Sequence, residues 1–486
     1  MVESVVDTVY SRTRQNLVVA VLAFAGMGAS FMQTILIPIQ GRLPELLDAP
    51  AADTAWVITA TLLASAIAVP IAGKLGDMFG KRRIALVLLA ILTVGSIVCA
   101  LSPDLIWMIV GRALQGMGMG VIPLGIALLR DVVDASRLGT SIALVSATLG
   151  VGGALGLPIS ALVTDRFDWH VLFVFAAVIA SISLILVVVA VPVAGTPVGG
   201  RVDLIGAFGL SVGLVGLLLA VSQGNTWGWL STPTLLSAGI GLLALMLLVW
   251  YELSTANPLI DVRVSLRPAV LTTNISSVAM GFALFSSSIA FPQLLQVPES
   301  AGGLGMELLP ASLLLVPSGL AMLAMSPIAG RIQRIAGPKP LLVAGALVLV
   351  VAYAVSAFVP LHAWTIAVIN AVIGAGVGLG YAAMPALIMG AVPVSETGAA
   401  NGLNTLMRSF GTTVAAAVVG AILAGASGSD VAGSFQVVFI LGLVAAAVSA
   451  GVALLIPRAR LVRGTPAGDV PADTAVRAAV ETVSAR

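Results

Sequence analysis

The sequence has few of the residues on which soluble domains, disulfide frameworks and metal sites depend. Charged residues make up 9% of its 486 residues and aromatic residues 5%, with two histidines and one cysteine. Soluble domains carry roughly a quarter charged residues, so this composition excludes that class. One cysteine excludes a disulfide framework, and two isolated histidines without an acid cluster predict no metal site. The cations are scattered and form no basic face, so we expect no nucleic-acid partner.

Apolar residues are what the sequence has in excess, at 59% of the chain. Runs of about 18 to 25 apolar residues recur, each long enough to cross a hydrocarbon layer as a helix. Short alternating segments of the kind that build a membrane barrel are missing from the sequence. We therefore predict an all-α polytopic protein of the lipid bilayer with fourteen spans, near residues 17–39, 54–74, 84–101, 105–129, 138–163, 170–191, 204–222, 233–251, 268–293, 308–330, 341–359, 363–389, 398–424 and 434–456.

The positions of the cations predict the orientation of these spans. With the N-terminus inside, all 23 Lys and Arg residues fall on cytoplasmic segments except Arg42, Arg166, Arg112 and Arg408. This asymmetry follows the positive-inside rule and fits an even number of spans. We expect a multi-pass protein of the cell membrane with both termini in the cytoplasm.

A repeat links the two halves of the chain. The string PIAGKLGDMFGKR at 70–82 returns as PIAGRIQRIAGPK at 327–339, at a constant offset and at a matching place in the order of spans. Parallel halves of this kind are a transporter architecture. The spans then divide into a six-helix bundle at 1–191, two inserted spans at 192–267 and a second six-helix bundle at 268–456, followed by a tail at 457–486 that we predict to be disordered.

Three motifs resemble those of a known family. GKLGDMFGKRR (73–83) is similar to the loop signature between spans 2 and 3 of the major facilitator superfamily, and GRALQGMGMG (111–120) to its span-4 signature. GVGGALGLP (150–158) resembles the span-5 antiporter motif, with Leu157-Pro158 in place of the usual Gly-Pro. The resemblance is closest to the fourteen-span drug:proton antiporter branch. It implies the major facilitator fold and an exporter of small amphipathic organic compounds that needs no cofactor and is not an enzyme. The motif residues in span 5 are Gly152, Gly156 and Pro158.

The resemblance also implies a latch between the two halves. In the family's pattern the acid of the 2–3 loop, here Asp77, caps the N-terminus of a helix in the other half, here span 13 near Gly398. A carboxylate at such a helix end is favoured by the free amides and the helix dipole. Lys81 and Asp131 would complete a charge relay. The expected latch residues are Gly73, Asp77, Gly80, Lys81, Arg82 and Asp131.

Polar side chains within the predicted spans are candidates for a transport cavity. Arg112 lies about eight residues inside span 4, where a guanidinium either faces a wet cavity or pairs with nearby polar groups such as Gln115. An unpaired amide in hydrocarbon costs several kcal/mol, so the buried amides either line the cavity or have partners. The candidate cavity residues are Gln33, Arg112, Gln115, Asn274, Gln293 and Asn370.

One departure from the family pattern concerns proton coupling. The branch usually opens span 1 with Leu-Asp-x-Thr-Ile, whereas this sequence reads Phe-Met-Gln-Thr-Ile at 31–35, with Met32 in place of the acid. If protons drive transport, the carriers must then be peripheral acids, for which Asp53, Glu307 and Asp131 are the candidates. The alternative is a lipid or metabolite translocator, including an uncoupled facilitator. In either case we expect a monomer.

Overall fold

The computed structural model describes residues 10–194, 199, 202–255, 258–424 and 431–457, and their regular structure is helical, without strands. Apolar segments in a bilayer must pair their own backbone groups, which a helix does along its whole length. Among these residues, fourteen helices are long and apolar enough to cross a membrane, which confirms the predicted number: α1 Arg12–Ile39, α2 Trp56–Phe79, α3 Lys81–Ala100, α4 Leu105–Val132, α5 Ala135–Arg166, α6 Val171–Ala190, α7 Leu204–Trp227, α8 Thr232–Ser254, α9 Pro268–Gln296, α10 Leu308–Ala336, α11 Pro338–Phe358, α12 Ala363–Ala391, α13 Thr397–Leu423 and α14 Val431–Leu455.

Several helices run further than their apolar runs predicted. Helix α10 continues to Ala336, where Gly337 ends it with φ 79°, and α7 continues to Trp227, where Gly228 ends it with φ 91°. Backbone hydrogen bonding continues into polar sequence until a residue such as glycine adopts the left-handed conformation, which hydropathy does not register.

Three of the fourteen spans contain a break. Helix α1 is regular to Thr34 and ends in a 3₁₀ turn, Ile37–Arg42. Helix α4 consists of Leu105–Gly118 and Val121–Val132, and α10 of Leu308–Leu313 and Val316–Ala336. Short connecting elements are the helices Leu43–Leu46, Ala51–Thr54 and Val262–Ser265 and the 3₁₀ turns Glu299–Ala301 and Val394–Glu396.

The packing repeats itself at a spacing of eight helices. Helix α1 packs on α5 and α6 as α9 packs on α13 and α14, and α4 packs on α2 and α3 as α12 packs on α10 and α11. These are the two six-helix bundles, α1–α6 and α9–α14. Helices α7 and α8 pack on each other, and α7 contacts α2 and α13. The predicted limits of the bundles in sequence stay a prediction, and the tail beyond Pro457 lies outside the described residues.

The bundles meet along two related helix pairs, α2 with α13 and α5 with α10. The loop between α2 and α3 and the start of α13 lie at the same end of the molecule, which we call the hairpin end.

Candidate functional site

The most specific contact between the bundles is made by Asp77 at the end of α2. One carboxylate oxygen accepts a hydrogen bond from the backbone N–H of Gly398 at 3.1 Å, and the other accepts one from Ala399 at 3.0 Å. The two donors are backbone amides in the first turn of α13. Amides at that position have no hydrogen-bond acceptor within their own helix. Asp77 is 6% exposed. A buried carboxylate therefore receives two charge-assisted bonds and the favourable end of a helix dipole.

Two glycines make this contact possible. A Cβ on Gly73 would collide with the carbonyl oxygen of Gly398, and a Cβ on Gly398 would lie 2.5 Å from the carbonyl oxygen of Gly73. Helices α2 and α13 thus touch backbone to backbone, which brings the Asp77 carboxylate within reach of the α13 amides. A larger residue at either position would separate the bundles at this point.

A second set of charged side chains lies at the same contact between α2 and the start of α13, which we call the joint. Lys81 donates to Asp131 at 2.8 Å, and both side chains are 7% exposed. The neighbour of Asp131, Arg130, donates to the hydroxyl of Thr397 at 3.0 Å, so α4 also reaches the first residue of α13. Gly80 has φ 101°, a turn that fits glycine and joins α2 directly to α3.

Arg82 points away from this joint. Its guanidinium donates to the carbonyl oxygen of Val188 at 2.8 Å, in the last turn of α6. Its counterpart in the repeat, Lys339, donates to the carbonyl oxygen of Leu454 at 2.7 Å, in the last turn of α14. Each cation therefore satisfies a carbonyl at the negative end of the last helix of its own bundle. The repeated basic residue thus holds each bundle together.

The second copy of the motif forms a joint without a carboxylate. Gly330, the counterpart of Gly73, packs against Thr140 of α5, and Gln333 packs against Gly139. Gln333 donates to the carbonyl oxygen of Ala382 at 2.8 Å. Arg334, which stands where Asp77 stands in the first copy, is exposed. The two joints share their close helix approach and differ in charge.

Arg112 is enclosed by its own bundle. Its guanidinium donates to the carbonyl oxygens of Val57 (3.2 Å) and Met32 (3.1 Å) and to the Gln115 side chain (2.8 Å). Arg112 is 2% exposed. Gln115, which is fully buried, in turn donates to the Ser96 hydroxyl at 2.9 Å. The structure therefore surrounds Arg112 with neutral acceptors from α1, α2 and α4.

The other candidate cavity amides differ in exposure. Asn274 is buried and accepts from Asn404 at 2.9 Å, and Asn370 is buried and donates to the carbonyl oxygen of Leu315 at 3.1 Å. Gln33 and Gln293 are exposed. Buried and paired amides hold helices together, whereas exposed ones remain available to a ligand or to water. The structure thus brings two of these four side chains into helix contacts and leaves two open.

Gln33 lies on an exposed face of α1. Ser30, one turn away, donates to the carbonyl oxygen of Leu149 in α5 at 2.6 Å. On the other side the carbonyl oxygen of Met32 accepts from Arg112 in α4. Gln33 falls between the α5-facing and α4-facing sides of its helix and is exposed.

The span-5 motif forms a close helix contact. A Cβ on Gly152 would collide with the carbonyl oxygen of Met27, and a Cβ on Gly156 with the hydroxyl of Thr34. Pro158 is buried inside α5. The motif thus lets α5 approach α1 within the first bundle.

The candidate proton carriers lie in different surroundings. Asp53 and Glu307 are exposed, and Asp131 is paired with Lys81.

Sequence reasoning missed a further pair of acids in the inserted helices. One oxygen of Asp203 and one of Glu252 lie within 2.8 Å of the point where a Cβ on Gly206 would stand.

This acid pair is incompletely satisfied. Asp203 Oδ2 and Glu252 Oε2 are buried and have no hydrogen-bond partner among the residues that the structure describes, and Glu252 is 4% exposed. Asp203 precedes α7 and Glu252 lies near the end of α8, about 50 residues apart, so hydropathy gave no signal that they would meet.

Sequence reasoning also left Arg408 out of the site. The guanidinium carbon of Arg408 in α13 stands 4.6 Å from the ring centre of Tyr381 in α12. Arg408 is half-buried near the middle of its span. The sequence shows an arginine within an apolar run at this position, but nothing in it indicated that Tyr381 would be the partner of this arginine.

A sequence model described as Major Facilitator Superfamily matches residues 22–297 and 273–483. An uncharacterised MFS-type transporter of Mycobacterium tuberculosis is 28% identical over 425 residues, covering 85% of this chain and 60% of that protein. The chain thus spans about 60% of the length of that relative.

Two further relatives carry names that refer to resistance. The multidrug resistance protein Stp of Mycobacterium tuberculosis is 24% identical over 422 residues, covering 85% of this chain and 76% of Stp. The lincomycin resistance protein LmrB of Listeria monocytogenes is 26% identical over 414 residues, covering 83% of this chain and 86% of LmrB.

Among solved structures, the crystal structure of the human organic anion transporter MFSD10 (TETRAN) matches with a TM-score of 0.61 at 15% identity. It covers 89% of this chain and 99% of that chain. At this identity the match shows a shared fold. Together with the sequence comparisons, it confirms the resemblance that the motifs of the sequence indicated.

Proposed function

The chain belongs to the Major Facilitator Superfamily and is a multi-pass membrane protein, and we propose that it is a transporter that exports amphipathic or lipophilic organic compounds by alternating access. In this mechanism the two six-helix bundles rock about a central site that opens to one side of the membrane at a time. The observation that carries the proposal is the joint at the hairpin end, where Asp77 of one bundle holds the first turn of α13 in the other.

This joint has the properties that a reversible latch needs. It uses two charge-assisted hydrogen bonds and a close contact of glycines, and every group involved can be solvated when the bundles part. The Lys81–Asp131 pair lies within one bundle and would survive the motion. Rocking would therefore break the Asp77 contacts and leave the rest of the hairpin intact. We propose that the latch stabilises the state closed at the hairpin end.

The hairpin end faces the cytoplasm in this proposal. The cations around residues 74–83 lie there, and cytoplasmic loops of membrane proteins carry an excess of Lys and Arg. The state that the latch stabilises would then be open to the outside. We further propose that the protein is a monomer of the cell membrane with both termini in the cytoplasm.

The nature of the substrate follows from the relatives and from the composition of the spans. Stp and LmrB are named for resistance to drugs. The spans are strongly apolar, and a pocket among them with few fixed polar groups, Gln33 being one, suits molecules with a large apolar part. Small amphipathic compounds are the proposed substrates.

Protons are the proposed driving ion, with Asp53, Glu307 and Asp131 as carriers. The alternative is an uncoupled facilitator or a translocator of lipids or metabolites. One observation favours it: Met32, which stands where the branch has an acid, is fully buried beside Arg112 and Ser96. The methionine side chain has no group that could carry a proton at that position.

Transport of a lipophilic dye by the purified protein in proteoliposomes tests the proposal. Dye movement against its gradient, driven by an imposed pH gradient and abolished by a protonophore, is the expected result. Movement that ignores the pH gradient would support the facilitator instead. Asp77→Asn and, as a matched control, Asp165→Asn are run beside the wild type, because Asp165 is an exposed acid outside the joint.

A further inference from the structure

Arg408 differs from Arg112 in how its charge is satisfied. Arg112 donates to three neutral acceptors within its bundle. Among the residues that the structure describes, Arg408 contacts Tyr381 through its ring face and has no carboxylate or hydrogen-bond partner. A charged side chain in the middle of a span is costly and usually functional. The difference identifies Arg408 as the cation with unused binding capacity.

The face of α13 that carries Arg408 is polar from Asn401 to Thr412. Every side chain on it except that of Asn401 is half-buried, and the positions recur at helical spacing: Asn401, Thr405, Arg408, Ser409 and Thr412. We call these residues the α13 polar stripe. A run of polar side chains on one face of a membrane helix is expected where that face borders water or a ligand.

The neighbouring faces of α13 show where this stripe points. Asn404 contacts Asn274 of α9, and Gly402 packs against the backbone of Val69 in α2. A third face is apolar, where Leu403 packs with the buried cluster that includes Leu210 of α7. The stripe lies on the side opposite the α7 contact, between α9 and α2. That side therefore lies where the two bundles meet, and it faces α12, which supplies Tyr381.

Tyr381 orients the guanidinium without neutralising it. It is 5% exposed, so its ring is fixed by packing and forms a rigid platform under Arg408. Stacking uses one face of the planar guanidinium, whereas its N–H donors lie at the edge and remain free to bond. A carboxylate or sulfonate can accept two of them in parallel, and such forked contacts are among the stronger hydrogen bonds in proteins.

We propose that Arg408, held against Tyr381, binds the acidic group of amphipathic organic anions in the space between the bundles. The substrate class is a carboxylate or sulfonate attached to an apolar body, with the hydroxyls of the α13 polar stripe beside the head group. This inference rests on the proposed function, because it places the ligand in the transport path, and it narrows the range of substrates. An anion that approaches Arg408 supplies the counter-charge that the described residues do not.

Binding of a matched pair of small probes tests this site. The probes are 1-naphthaleneacetate and its neutral amide, 1-naphthaleneacetamide, and binding to protein in nanodiscs is measured by equilibrium dialysis against empty discs. We expect the wild type to bind the carboxylate at least about tenfold more tightly, as a hydrogen-bonded charge pair implies. Arg408→Gln should reduce the ratio to within about twofold, with the affinity for the amide little changed.

Two further variants keep the test decisive. Arg166→Gln removes an exposed arginine at the end of α5 and should keep the wild-type ratio. Arg408→Lys keeps the charge without the fork and should lower the ratio to an intermediate value, so it carries the test if Arg408→Gln does not fold. A ratio near one in the wild type, or a wild-type ratio in both Arg408 variants, would overturn the proposal.

The binding assay and the transport assay test different claims, and either can succeed while the other fails. Selective, Arg408-dependent binding by a protein that moves no dye would support the site and contradict the exporter. Dye transport by a wild type that does not prefer the carboxylate would support the exporter and contradict the site.

Discussion

Replacing Asp77 by asparagine should open the latch without unfolding either bundle. The asparagine side chain has nearly the same shape, and its oxygen can still accept from one α13 amide. Its NH₂ group, however, faces the second N–H, at a place where the carboxylate oxygen accepts at about 3 Å. The change therefore removes one of two charge-assisted bonds and the attraction between the negative charge and the helix end.

The magnitude follows from these two losses. A hydrogen bond to a charged group contributes about 1.5 to 3 kcal/mol and the helix-end interaction about 0.3 to 2 kcal/mol. With part of the loss recovered by the remaining acceptor, we expect the closed state to lose about 2 kcal/mol, a factor of roughly thirty in its equilibrium with the open state. Transport should fall by about tenfold or more, while expression and substrate affinity stay near the wild-type values.

Spin labels at the hairpin end measure this shift directly. Ser136 in the first turn of α5 and Ser395 before α13 are both exposed, and Cys99, the single cysteine, can be replaced beforehand. Electron–electron resonance should show a new population at longer distance in Asp77→Asn and the wild-type distribution in Asp165→Asn. An unchanged distance distribution together with unchanged transport would refute the latch.

Three further predictions concern groups that the structure brings together. Gly73→Ala places a methyl group against the carbonyl oxygen of Gly398 and should lower transport and the melting temperature together; a fully active variant would contradict the close approach. Arg112→Met should cost about 2 to 4 kcal/mol, seen as a lower melting temperature in detergent, because buried carbonyls lose their donor; normal stability with lost transport would instead indicate a role in the cavity. Glu252→Gln should increase the free energy of unfolding by about 1 kcal/mol, seen as a higher melting temperature, because it removes a carboxylate next to Asp203. A lower melting temperature would mean that the two acids do not repel each other.

The two copies of the repeat show how much of the structure could be predicted from the sequence. The recurrence of PIAG at both sites predicted that the two halves are repeats, and in the structure a glycine of each copy packs closely against a partner helix. The sequence also indicated that the copies differ at Asp77 and Arg334. It did not indicate that Arg82 and Lys339 bond the ends of α6 and α14, because those ends are more than 100 residues away in sequence.

The membrane itself explains why the sequence alone determined the fold class, the number of spans and the family. A segment in hydrocarbon must be apolar and must bond its own backbone, so each span is a local property of about twenty residues. The family motifs are local as well. These features could be identified without knowing which helices touch.

Only the tertiary structure decided which polar groups have partners. Arg112 and Arg408 look alike in sequence, each an arginine within a span, yet one is surrounded by carbonyl oxygens and the other lies on an aromatic ring with free donors. Likewise, Asp203 and Glu252 meet because α7 packs on α8. Whether a polar group in the membrane is satisfied depends on atoms within about 3 Å that come from distant parts of the chain, and helix packing alone brings them there.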